Sequence, residues 1–166
     1  MLATRPETTP PSPVREILVL GIGNSIMSDD GVGPALADAL GEAEMRHVRC
    51  VDGGTCGLAL LPHIEAADGV VVLDALRLGK APGAVTVLEG DDMDRALRGV
   101  KSTAHEVALA DLLDAARATG RLPERRAIVG VEPQVVTIGT ELSVPVAAAM
   151  PRGMAAATTL IERWTS

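Results

Sequence analysis

The chain has 166 residues, 15 of them basic and 22 acidic, for a formal net charge of −7 at neutral pH. That length supports one domain with a sizeable core and not two ordinary ones, and the acidic balance disfavours a phosphate backbone as partner. Hydrophobic residues make up 47%, yet there is one Trp and no Phe or Tyr, so the core is built from Leu, Val, Ile and Ala, with no aromatic platforms for nucleic-acid bases to stack on. Cys50 and Cys56 lack a CxxC spacing and are too few for a disulfide scaffold. They read as reduced thiols. No apolar run approaches membrane-spanning length. Residues 1–15 hold Pro10, Pro11 and Pro13 without an apolar signal core. They are expected to form a disordered tail ahead of a single domain over 16–166, with the cytoplasm as the expected compartment and a monomer as the expected state.

Glu16 to Gly21 reads as the first strand, its apolar run Ile17-Leu18-Val19-Leu20 leading into a glycine turn, Gly21-Ile22-Gly23-Asn24. Two adjacent acids, Asp29 and Asp30, precede a helix over about Gly33 to Leu40, with Pro34 in its first turn and Gly41 at its end. His47 to Val51 is a second strand, closed by Asp52-Gly53-Gly54, and Leu58 to Glu65 a short helix. Gly69 to Leu73 is a continuous apolar strand, suited to burial on both faces. Ala84 to Leu88, after the Pro82-Gly83 turn, alternates like an edge strand and is a candidate for antiparallel pairing. His105 to Ala118 carries a helical stripe of Leu109, Leu112, Leu113 and Ala116. Arg126 to Val131 is the fifth strand, and Ser143 caps a last helix running towards Trp164, with a kink or break expected at Pro151 and Gly153. The alternation predicts a three-layer α/β/α sandwich around a five-stranded, mostly parallel twisted sheet with one antiparallel strand.

Ligands of open α/β sheets sit beyond the carboxyl ends of the strands. Acids converge on that edge: Asp29 and Asp30 after strand one, Asp52 after strand two, Asp74 after strand three and Glu132 after strand five. Several carboxylates on one edge repel one another unless a cation or shared protons compensate. Asp30 and Asp74 are the best ligand candidates, against the plainer readings of a turn and helix start for Asp29-Asp30-Gly31 and a loop cap for Asp74. His47 lies at the wrong edge of the sheet and His63 on a short helix. His105 opens a helix, where a neutral imidazole suits a metal better than a charged one suits the dipole, although a solvated surface His is the plainer reading. Asp30, Asp74 and His105 make an O,O,N set that suits a borderline divalent ion such as nickel or zinc with open coordination positions.

Two rival sites use the same loops. A dinucleotide fingerprint would need glycine where Ile26 stands, the paired aspartates would oppose a pyrophosphate, and no Walker lysine follows. A Cys56 nucleophile in Gly53-Gly54-Thr55-Cys56-Gly57 has no histidine placed beside it by sequence.

The segments Gly21 to Asn24, Asp29-Asp30-Gly31-Val32-Gly33, Asp52 to Gly57, Leu73-Asp74-Ala75, Ser102 to His105, Leu109 to Leu112, Gly130 to Pro133 and Glu141 to Ser143 occur in an order and spacing that resembles the [NiFe]-hydrogenase maturation proteases, over about residues 17 to 164. The resemblance implies an endopeptidase that trims the C-terminal extension of a hydrogenase large-subunit precursor after nickel insertion, with the nickel supplied within the precursor and another divalent metal accepted in vitro. It implies catalytic and metal-reading roles for Asp30, Asp74 and His105, with Asp29 a substitute for Asp30, which replaces the Glu of some members. It implies substrate recognition by Asp29, Asp52, Gly53, Gly54 and Thr55. The bound metal would polarise the scissile carbonyl or activate water, or Asp30 or Asp74 would act as general base in an aspartic-type hydrolysis. The absence of an HExxH helix disfavours a resident zinc. A non-enzymatic metallochaperone or docking factor for the large subunit, and a metallo-hydrolase of small amides, are the alternatives.

Overall fold

The computed structural model describes residues 13–54, 57–99 and 104–166. Five strands form one sheet: β1 (Ile17–Ile22), β2 (Val48–Gly54), β3 (Gly69–Ala75), β4 (Val85–Glu89) and β5 (Arg125–Val131). Their order is β2-β1-β3-β5-β4. The first four are parallel, and β4 runs antiparallel to β5 at the edge. The helices are α1 (Val32–Glu42), α2 (Leu61–Ala66), α3 (Gly90–Gly99), α4 (Ala104–Ala118) and α5 (Val144–Thr165).

The period-two alternation of the strands divides the apolar residues between two layers. Ile17, Val19, Val71, Leu73, Val129 and Val131 pack against α1 and α5. Leu18, Leu20, Val70, Val72 and Ile128 pack against α2, α3 and α4. Both faces are covered, which is why β1 and β3 read as unbroken apolar runs. From β1 the chain crosses to β2 on one side, then returns past β1 to β3 on the other. The order therefore reverses between the carboxyl ends of β1 and β3, the crevice in which such sheets bind their ligands.

Several elements differ from the sequence expectation. β2 continues through Asp52-Gly53-Gly54, with an irregularity in register opposite Gly21 and Ile22. α1 passes through Gly41 to Glu42. α3 falls in a stretch for which the sequence predicts no element, because its buried side is only Met93 and Leu97 among charged residues. Asp94 on that helix pairs with Arg117 of α4 at 2.7 Å and Arg126 of β5 at 2.9 Å, which ties it down.

The expected break at Pro151 does not occur: α5 runs unbroken for 22 residues. Val146, Ala149, Gly153, Ala157, Leu160 and Ile161 form one buried stripe along both halves, and Leu36 of α1 closes on Gly153, where a Cβ would sit 3.1 Å from its side chain. Pro151 and Ala147, the residue whose carbonyl loses its donor, both lie on the exposed side. Tertiary packing carries the helix on past the missing bond. α5 also has the length and mean hydropathy, 1.2, of a membrane-crossing helix, a length the sequence was expected not to reach. Its abundant Ala raises the mean without making an apolar run, Arg152 interrupts it, and its apolar stripe faces the core.

Pro151→Ala restores a donor to the Ala147 carbonyl. It is expected to stabilise the protein by roughly 1–3 kcal/mol, measured as a higher urea midpoint with an unchanged slope.

Candidate metal and catalytic site

The turn after β1 is built to aim a carboxylate back at the sheet. Gly23 holds φ +131°, and a Cβ there would lie 1.9 Å from the Asp30 carbonyl oxygen, so only glycine permits the approach. The Asn24 side chain accepts the Ile26 N–H at 3.1 Å and closes a local turn. A short 3-10 turn over Ser28–Gly31 then leads into α1. Gly33 lets the helix start against the strand ends, where a Cβ would meet the Ile22 and Leu73 carbonyl oxygens at 2.2 and 2.3 Å. Inside this turn the Asn24 N–H donates to Asp30 Oδ2 at 2.8 Å. The loop thus binds a carboxylate of its own with the amide that a dinucleotide fingerprint would offer to phosphate, which disposes of that rival reading.

Asp30, Asp74 and His105 meet at the β1/β3 crevice. Each offers a ligand atom, and these atoms lie within 4.8 Å of one another. His105 Nε2 is 3.0 Å from Asp30 Oδ1, and its Nδ1 is 3.9 Å from Asp74 Oδ2. Asp74 shares the sheet face of Val70 and Val72, the face on which α4 carries His105. It is fully buried, whereas Asp30 and His105 keep 6% and 8% exposure.

The electrostatics of the three groups differ. Burial opposes the charge on Asp30, but the His105 hydrogen bond and the Asn24 N–H outweigh it and hold the carboxyl below its ordinary value. The Asp30 hydrogen bond likewise overrides burial at His105 and raises the imidazole pKa. At Asp74 burial wins: the carboxyl is pushed well above its ordinary value, and the nearby Asp30 and Glu106 charges push it further against the pull of His105. Neither Asp74 oxygen has a hydrogen-bond partner among the described residues, the Ala75 backbone lending only a weak pull outside bonding geometry. A buried carboxylate without donors is costly, and either a proton or a cation would relieve it. The donor set of two oxygens and one nitrogen, close enough to share one ion, fits a borderline divalent metal.

The other acids of the edge are used elsewhere. Asp29 is fully buried and faces away from Asp30. Its carboxylate accepts the N–H groups of Gln134 (2.8 Å), Val135 (2.9 Å) and Ser143 (2.7 Å) and the Ser143 hydroxyl (2.8 Å). Ser143 precedes α5 as expected, but its hydroxyl serves Asp29 and makes no cap hydrogen bond. Burial raises the Asp29 pKa, and these donors overcome that and lower it. With its oxygens filled, Asp29 does not stand in for Asp30 in this geometry. Glu132 accepts the Leu78 N–H at 2.7 Å. Asp52 accepts the Gly54 N–H at 2.8 Å and stays exposed. Gly53 packs against Ile22, which a Cβ would approach to 2.5 Å, and Gly54 has φ +50°. Thr55 and Cys56, as well as Lys101, Ser102 and Thr103, lie outside the described residues. Cys50 is half-buried, and burial raises its thiol pKa, which suits an inert residue. His63 sits 3.4 Å from Arg49 and His47 at the opposite end of the sheet. Two participants carried no signal in the sequence: the Asn24 amide, a backbone group, and Glu106, buried beside His105.

Asp29 and Asp74 therefore have opposite effects on stability. The Asp29 carboxyl is depressed on folding, so its contribution is present above the unfolded carboxylate range and lost as pH falls through its folded value. Asp29→Asn is expected to destabilise by about 2–3 kcal/mol at neutral pH, a difference from wild type that shrinks on acidification towards pH ~3. The Asp74 carboxyl is raised on folding and opposes folding when charged. Asp74→Asn is expected to stabilise the metal-free protein, on the order of 1–2 kcal/mol. Urea unfolding of both variants checks the two signs.

Residues 32–160 match the family model for hydrogenase maturation protease, HycI, so Asp74 and His105 lie within the match and Asp30 just before it. The chain is 33% identical over 164 residues to the hydrogenase expression/formation protein HupD of Rhizobium leguminosarum bv. viciae, covering 97% of this chain and 81% of that protein. It is 36% identical over 121 residues to the hydrogenase 2 maturation protease of Escherichia coli, covering 71% and 73%. Among solved structures, the hydrogenase maturating endopeptidase HybD from E. coli superposes with a TM-score of 0.84 at 29% identity, over 89% of this chain and 93% of that one. HybD from Thermococcus kodakarensis superposes with a TM-score of 0.73 at 27% identity, over 87% and 98%. The five-stranded sheet, the match along the length of the domain and the identities to curated relatives agree: this chain belongs to the hydrogenase maturation protease family and is an endopeptidase.

Proposed function

We propose that this endopeptidase removes the C-terminal extension of a [NiFe]-hydrogenase large-subunit precursor, and that it acts after nickel insertion by reading the ion through Asp30, Asp74 and His105. The observation that carries the reading is the Asp74 carboxylate, buried without a hydrogen-bond partner among the described residues, within reach of a second carboxylate and an imidazole. Nickel here is cargo of the substrate. A precursor that brings the ion supplies the missing positive charge, and one without it leaves Asp74 uncompensated. The site thereby favours the loaded precursor electrostatically.

Once the precursor is seated, the ion polarises the scissile carbonyl. Asp30, held below its ordinary pKa by His105 and the Asn24 amide, remains ionised and is positioned to take a proton from the attacking water. Asp30 then returns that proton to the leaving amine, while His105 holds the ion as a neutral imidazole. Family membership favours this reading over a docking factor without catalysis and over a general hydrolase of small amides.

The expected result with nickel-loaded precursor is loss of the C-terminal peptide, followed by mass spectrometry. Asp74→Asn and His105→Gln should each slow cleavage by roughly 100-fold or more, and nickel-free precursor should stay intact. Cleavage that survives both substitutions would remove these residues from the mechanism, and equal cleavage of nickel-free precursor would remove the reading of the ion.

A further inference from the structure

Six large hydrophobic side chains are exposed among the described residues, and four of them, Ile26 (58%), Val135 (38%), Ile138 (89%) and Val144 (84%), belong to two segments joined to each other at the carboxyl edge of the sheet. The turn after β1 and the connection from β5 to α5 are tied by backbone hydrogen bonds. Gly139 N–H donates to the Ile26 carbonyl at 2.9 Å, Ser28 N–H to the Gly139 carbonyl at 2.8 Å and Asp29 N–H to the Val135 carbonyl at 3.2 Å. The Ser28 hydroxyl adds a bond to the Thr137 carbonyl at 2.9 Å. Met27 and Gly139 form a parallel bridge, whose register sets Ile26 beside Ile138. Beneath them the Asp29 carboxylate gathers Gln134, Val135 and Ser143. The exposed side chains thus stand on a braced platform.

Single exposed apolar residues need no explanation, but a group of them on one edge marks an interaction surface. The platform's two paired segments, 24–28 and 133–140, hold no acidic or basic residue in a chain of net charge −7, and the exposed Glu141 is the one charge between Ile138 and Val144. The platform is continuous with the candidate site, because the Asn24 amide that starts it holds Asp30.

We propose that the Ile26–Ile138 platform, flanked by Val135 and Val144, is the docking surface for an uncharged, apolar segment of the large-subunit precursor next to the bond that is cut. The proposal rests on the function proposed above for its partner. Bracing lowers the ordering cost of association, and absence of charge leaves apolar burial as the source of affinity. Specific recognition of the ion and general adhesion of the chain are then separate tasks of adjoining surfaces.

Direct binding tests it without relying on cleavage. A nickel-loaded [NiFe]-hydrogenase large-subunit precursor is immobilised, and binding of the full chain is followed by surface plasmon resonance, with cleavage assayed in parallel. Ile26→Asp and Ile138→Asp should each weaken binding about tenfold or more and raise KM in step. Ile138→Ser, a milder change, should weaken it less. Val87→Asp, on the distant edge strand β4, should bind like wild type. Unchanged affinity in both aspartate variants, or no binding by wild type, overturns the proposal. So does a wild-type dimer in sedimentation that Ile138→Asp dissociates, since a second copy then covers the surface. Normal binding by wild type without cleavage overturns the proposed reaction and leaves the docking surface standing.

Discussion

A carboxylate that the fold buries without giving it a donor is the constraint around which this site is arranged. Asp74 ends the central strand β3, fully buried on the face that α4 covers. Nothing local compels it to be there: the strand before it is wholly apolar, and an apolar residue would pack without penalty. The surroundings deepen the penalty with a second carboxylate and with Glu106, and His105 offsets only part of it. A native protein keeps such a group where its cost is met by something that binds. The strand order places Asp74 there, since the reversal between β1 and β3 opens the crevice at which β3 ends.

The two consecutive aspartates after β1 show how one turn serves two purposes. Asp30 faces the crevice, with one oxygen on the Asn24 amide and the other on His105. Asp29 faces the opposite way and collects four donors from the connection between β5 and α5. The same turn therefore holds a carboxylate of the candidate site and anchors the connection between β5 and α5. The Asp29 anchor is stable because its charge is satisfied, and Asp74 is available because its charge is not. That contrast, a filled carboxylate beside an open one, is what separates scaffold from chemistry in this part of the molecule.

The separation also explains how a protein with few aromatic side chains can engage a large partner. Recognition of an ion needs three atoms in a small volume. The docking proposed for the precursor needs apolar area, and Ile26 and Ile138 are exposed at the same edge of the sheet.

What the sequence by itself determined is local and periodic. The apolar runs of β1 and β3, the alternation of β4, the stripe of α4 and the order of elements specify a doubly covered, mostly parallel sheet, because burial on two faces writes itself directly into residue pattern. The edge argument also singled out Asp30, Asp74 and His105 as a set, since strand ends in such sheets share one rim. Tertiary structure alone decided the rest. Which of two adjacent aspartates faces the crevice depends on a turn whose Gly23 conformation and Asn24 amide carry no residue pattern, and on donors more than 100 residues away in the chain. The continuation of α5 through Pro151 depends on a stripe packed against α1 that outweighs a local helix breaker. α3 exists because Arg117 and Arg126 arrive from other elements to meet Asp94. In each case the deciding interaction joins residues distant in sequence, and such energy is invisible until the chain has closed on itself.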